Sequence, residues 1–138
     1  MSIVQTQTTS FKKELYQAIH DLSTDTIKIA LYTASADLNA DTTVYSSTNE
    51  VSGTGYTAGG QVMTGVAISS SGYTAYANWA NVVWTAALTA RCALIYNASK
   101  GNKSVAVLDF GSDKTSTTTF TITMPANTST TALIRSSN

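Results

Sequence analysis

The chain is poor in charge. Asp, Glu, Lys and Arg make up 12% of its 138 residues, and eight basic side chains cancel eight acidic ones. Globular proteins ordinarily carry about 25% charged residues. Balance with so few cations leaves no basic patch of the kind nucleic-acid binding needs. Cysteine occurs once, at Cys92, so no intrachain disulfide can form. A lone thiol inside an apolar run reads as a small core residue. Histidine also occurs once, at His20. Without Cys-x-x-Cys or His-x-x-x-His spacing, these two soft ligands do not make a zinc centre. No apolar run approaches the ~18 residues of a transmembrane helix, so no membrane partner is expected. The first ten residues lack the basic and apolar regions of a secretory signal, which makes the cytoplasm the expected site of synthesis.

Hydroxyls stand in for the missing charge. Ser and Thr together form roughly 30% of the chain, while hydrophobic residues hold at 43%. That combination suits extended, pleated chain with threonine on the solvent face. Such a surface costs less to desolvate than one of ions, which favours packing against other proteins. The length fits one domain with a core that needs no staples.

Residues 1–9 are polar and uncharged, and read as an extended N-terminal arm. The arm is either a frayed terminus or a segment that orders on a neighbouring subunit. Residues 10–22 form the one expected helix, with Ser10 as N-cap and Phe11, Leu15, Ile19 and Leu22 on one apolar face. Beyond it the chain reads as strands. Residues 26–33 form the first, and residues 34–60 form a long loop with room for a short strand or turn near Val44 and Tyr45. Residues 62–68 and 73–79 pair as a hairpin across a Ser69–Gly72 turn. Residues 82–84, 90–96, 104–110, 117–124 and 132–134 complete the set. Turns fall at 97–102 and 111–114, and Pro125 closes the strand of 117–124. About eight short strands at this spacing predict a mostly β chain, an antiparallel β-sandwich, jelly-roll-like or immunoglobulin-like, with one short N-terminal α-helix over a single domain, residues 10–138.

Catalytic chemistry finds little to work with. Nucleophilic catalysis would need His20 as base, but its place on the short helix beside Asp21 fits a residue set against the helix dipole. The acidic residues sit at expected turns and helix ends, where they cap backbone groups, with Asp109 the exception inside a strand. Asp37, Asn39 and Asp41 alternate like calcium-loop ligands, but Thr42 stands where the loop needs glycine and Thr48 where it needs a bidentate acid. The Gly53–Gly60 stretch lacks a phosphate-loop lysine and leads into a strand, so its glycines read as backbone turns around an anchoring Tyr56. Tyr73, Tyr76, Trp79 and Trp84 invite a sugar platform, although the odd spacing of Tyr73 and Tyr76 puts them on opposite faces of a regular strand. No enzyme, no cofactor and no metal is expected.

Five segments taken together carry a resemblance: Ser10–Leu15 (SFKKEL), Asp25–Thr33 (DTIKIALYT), Thr48–Gly60 (TNEVSGTGYTAGG), Ala93–Asn97 (ALIYN) and Ala106–Gly111 (AVLDFG). The chain from Ser10 to about Met124 resembles a group of small virion proteins of tailed phages. The resemblance implies a structural role without catalytic residues. By analogy that role is capsid decoration, or cement, on the shell surface, with the major capsid protein and copies of itself as partners. A tail or head-fibre component that binds a receptor or glycan is the alternative. The interface residues expected on this reading are the arm Ser2, Ile3, Val4, Gln5, Thr6, Gln7, Thr8 and Thr9, together with Tyr56.

Overall fold

A computed structural model describes residues 2–137, so Met1 of the expected arm and Asn138 of the expected domain lie outside the described residues. The order of elements is β1 (Thr6–Gln7), α1 (Thr9–Tyr16), β2 (Ile27–Tyr32), β3 (Gln61–Val62), β4 (Ala67–Ser71), β5 (Thr74–Asn78), β6 (Val82–Trp84), β7 (Thr89–Asn97), a 3-10 turn (Ala98–Lys100), β8 (Lys103–Thr115), β9 (Phe120–Ile122) and β10 (Ile134–Ser137). The protein is mostly β with one short helix, as expected. Every pairing between these strands is antiparallel.

The largest sheet runs β1-β8-β7-β2-β3 and is built around the β7–β8 hairpin. Side-chain alternation sends β2 and β7 residues to two separate cores. Ile27, Ile29, Leu31, Ala93 and Ile95 face one, while Ala30, Tyr32, Cys92, Leu94 and Tyr96 face the other. Burial on both faces explains why residues 90–96 read as a continuous apolar run. A second layer covers the first face: the three-stranded sheet β10-β5-β4 and the pair β6-β9. It contributes Ala77, Ile134, Val82, Trp84, Phe120 and Ile122 to the larger core, with Phe11 of α1 beside them. The long loop covers the opposite face with Ala36, Leu38 and Tyr45, joined by Ile3 from the N-terminus. Val44 makes only an isolated bridge, to Lys103.

Several boundaries differ from the sequence reading. The helix begins earlier, because Thr8 and not Ser10 is the N-cap and its hydroxyl accepts from the Phe11 N–H. It also ends six residues earlier. Ala18 turns left-handed at φ 57, and the N–H groups of Ala18 and Ile19 return to the carbonyls of Leu15 and Glu14. This is a Schellman stop with alanine in the position glycine usually takes. Only Phe11 of α1 is buried, and Leu15 is exposed.

Ser69, Ser70 and Ser71 belong to β4 and not to a turn. The hairpin closes on two residues, Gly72 and Tyr73. Gly72 at φ 59 supplies the positive φ that a II′ turn needs at its first central position. The expected turn at 111–114 is a bulge within β8, where Arg91 alone faces residues 110–113. Strand β9 keeps three residues of the expected 117–124, with Phe120 and Ile122 buried as their spacing predicts. The last strand begins where the sequence reading ends it, at Ile134.

Candidate interaction surface

The arm expected over residues 1–9 does not stand off the domain; residues 2–9 are tied to it. Thr6 and Gln7 pair with Val107 and Ala106 as the edge of the large sheet. Ile3 bridges Leu38 in parallel, and the Val4 N–H donates to the Leu38 carbonyl. The Ser2 N–H reaches Asp37 Oδ1 at 3.1 Å, and Gln5 Oε1 accepts from the Asp109 N–H at 3.1 Å. Gln7 Nε2 donates to the Arg135 carbonyl at 2.8 Å. Thr8 is wholly buried, and its hydroxyl meets that of Ser104 at 2.9 Å. The Thr9 N–H donates to the Ala40 carbonyl. The local cause is the sheet edge: β8 offers unpaired backbone groups that the first residues satisfy. Only Ser2, Val4, Gln5 and Thr9 keep exposed side chains.

Tyr56 faces inward as well. Its ring stacks on Trp84 at 6.0 Å, and its hydroxyl accepts from the Leu31 N–H at 2.9 Å. The same hydroxyl donates to Glu50 Oε2 at 2.6 Å. Glu50 also accepts from the Tyr45 hydroxyl at 2.5 Å and the Gly59 N–H at 2.8 Å. Tyr45 stacks on Tyr96 at 4.7 Å, and the Tyr96 hydroxyl donates to the Gly59 carbonyl at 2.6 Å. Glu50 thus ties the middle of the long loop, at Tyr45, to its end, at Tyr56 and Gly59, against β2 and β7. Burial, and then the Glu50 hydrogen bond, push the Tyr56 phenol well above its ordinary range, so it stays a donor. Burial and the Glu50 charge push Tyr96 up to about 12.

His20 lies past the helix end, with no exposed side-chain surface. Asn97 fixes its tautomer: Asn97 Oδ1 accepts from the Ser99 N–H, so Nδ2 donates to Asp25 and to His20 Nδ1. Nε2 therefore carries the proton shared with Glu14 at 2.9 Å. Burial raises Asp25, but hydrogen bonds from Asn97, the Asp21 N–H and Lys100 outweigh it and hold the carboxyl below its usual range. The group anchors the α1–β2 connection and holds no nucleophile.

Asp37 Oδ1 accepts from the Ser2 N–H and the Asn39 side-chain amide, and Asn39 Oδ1 accepts from the Asp41 N–H. Among the described residues no three His, Cys, Asp or Glu side chains gather around a common point. Asp109 pairs with Arg91 across the bulge. Cys92 is buried, which pushes its thiol up to about 11. The four aromatics of the sugar platform separate: Tyr73 is exposed at the hairpin tip, Tyr76 is half-buried, and Trp79 and Trp84 are buried in the core.

What the fold gathers is the absence of charge. Residues 51–90 and 115–134 contain no Asp, Glu, Lys or Arg. These segments supply β4, β5, β6 and β9 of the second layer, so Arg135 of β10 is the single charged residue in its strands. The outer surface there is hydroxyl and small apolar. From Asn81 to Ala90 burial alternates at every residue, with Val83, Thr85, Ala87 and Thr89 outward. Ile68, Tyr73 and Val83 are exposed in this layer. Strand β4 ends its sheet with one edge unpaired. Beside β9 runs a groove of about 670 Å³ over Phe110, Phe120, Ile122, Met124 and Leu133, in which Lys114 is the only titratable side chain. The two charge-free intervals are visible in the sequence; that four of their strands cover the same face of the large sheet is not.

No family model, curated protein or solved structure matches this chain.

Proposed function

We propose that the protein is a structural component of a tailed-phage particle, one that decorates or cements the capsid shell. Its partners on this reading are the major capsid protein and further copies of itself, and its place is the outer shell surface after synthesis in the host cytoplasm. The observation that carries the proposal is the neutral second layer. Subunits crowded on a shell face many like-charged neighbours, and a contact layer with a single charged strand residue, Arg135, meets little repulsion. It also loses little on desolvation, because hydroxyls retain or exchange hydrogen bonds where ions would be stranded. Modest contacts repeated over a lattice then act together. Because residues 2–9 are committed to their own domain, the neutral layer replaces the N-terminal arm as the contact element.

The test uses purified shells from a particle that lacks the protein. The full chain, added over a wide concentration range, is expected to co-sediment with shells to saturation at hundreds of copies, and to ignore unassembled capsid protein. Protein that stays free of shells at every concentration overturns the reading. A dozen or fewer copies at one vertex of an imaged virion also overturns it, in favour of a tail or fibre component.

A further inference from the structure

We infer that the open edge of β4 pairs with the same edge of a second copy, joining two three-stranded sheets into one of six strands about a two-fold axis at Ser69. The inference deepens the self-packing part of the preceding reading, yet it stands on strand geometry alone. In a hairpin closed by a two-residue turn the closing pair, Ser71 and Thr74, exchanges both hydrogen bonds. Ser69 and Ala67 follow in phase, facing Tyr76 and Asn78 of β5. Ile68 and Ser70 therefore turn their N–H and C=O groups to the open side. Among the described residues nothing within the chain reaches those groups: β4 is the last strand of its sheet, and no loop or side chain bonds to them.

Soluble proteins ordinarily blunt such an edge with charge, proline or a bulge. Ala67-Ile68-Ser69-Ser70-Ser71 has none of these, and its pairing with β5 is regular throughout. The occupant is set by the register. Ile68 and Ser70 flank Ser69 symmetrically, so a two-fold axis there sets Ile68 of each copy against Ser70 of the other. Each narrow pair closes two hydrogen bonds. Across the axis Ser69 meets the second copy's Ser69, and Ala67 meets Ser71, all small enough to pass. A charged edge from an unlike protein would be desolvated here without a counter-ion, whereas a second copy brings the same neutral surface. Five-residue strands bury little area, so the dimer belongs at the weak end of specific interfaces, with a dissociation constant on the order of micromolar.

Sedimentation velocity of the full chain from micromolar to millimolar concentration is the test, with monomer shifting to dimer as the expected result. Ser69→Lys sets two like-charged side chains directly opposite each other, on Cα atoms about 4.5 Å apart across the axis, and is expected to weaken the dimer at least tenfold. Ser69→Glu does the same alone, and mixing the two variants is expected to restore a heterodimer. Ser70→Pro removes one outward N–H while leaving the β5 bonds intact. A chain that stays monomeric throughout overturns the inference, as does a dimer indifferent to Ser69→Lys or variants that fail to rescue one another. A monomer that still coats shells removes only the dimer, and a dimer that ignores shells removes only the decoration role.

Discussion

Replacing Glu50 by alanine removes the acceptor that holds the long loop closed. Three donors lose their partner: the Tyr45 and Tyr56 hydroxyls and the Gly59 N–H. Hydrogen bonds to a charged group each contribute about 1.5–3 kcal/mol. Glu50 and Tyr45 are partly exposed, so water recovers part of that sum for them; Gly59 is buried and recovers least. The expected loss is therefore about 3 kcal/mol, set mainly by Tyr56 and Gly59. For a chain of this size that lowers Tm by roughly 10 °C. Urea unfolding followed by circular dichroism measures the loss directly, with an unchanged slope as the sign that only stability moved. Tyr56→Phe keeps the stacking on Trp84 but leaves the Leu31 N–H without an acceptor, at a cost of about 1–3 kcal/mol. Because the two residues share one hydrogen bond, the double variant is expected to lose less than the sum of the singles by about 1 kcal/mol. A Glu50→Ala loss under about 1 kcal/mol, or strict additivity, would refute the clamp.

Other perturbations follow from the backbone and from the carboxylates. A Cβ on Gly60 would sit 1.8 Å from the Ile29 carbonyl oxygen at φ +78, whereas one on Gly72, at φ +59, meets nothing within 4 Å. Gly72→Ala is expected to cost only the left-handed term, about 1–2 kcal/mol, and Gly60→Ala about 1–3 kcal/mol more; equal urea midpoints would contradict this. Ala18→Gly relieves the same term at the helix stop and is expected to stabilise by about 0.5–1 kcal/mol, read as a higher urea midpoint. Folding lowers Asp25, and it lowers Asp109 through the Gly111 N–H and then Arg91. A depressed carboxyl stabilises the fold above its unfolded value of 3.8, and the gain disappears as pH falls through the folded value. Unfolding midpoints are thus expected to hold at neutral pH and fall as acid takes the pH below about 4, with a shallower fall in Asp25→Asn.

Much of the fold was legible because side-chain period is a local property. Strand β2, the β7–β8 hairpin and the alternation of Phe120 and Ile122 lay where apolar spacing put them. The helix start is not legible locally, because Thr8, Thr9 and Ser10 can all cap. Thr8 wins through a buried contact with Ser104, 96 residues away. The helix stop was missed because the left-handed residue is alanine, which carries no turn signal. The surroundings of Tyr56 are less legible still. Tyr56 reads as an exposed anchor amid glycines until Glu50 and Leu31 are seen to bind its hydroxyl.

By itself, then, the sequence determined the β class, the single short helix near the start and the poverty of charge, each fixed by composition or by spacing along the chain. Tertiary structure alone decided which edges stay open and which surface lacks charge. Strand partners are chosen across long separations, as when Gln7 pairs with Ala106 and Val82 with Ile122. Only such pairing gathers the charge-free strands β4, β5, β6 and β9 against one face of the large sheet, leaving Ile68 and Ser70 unpaired at an edge.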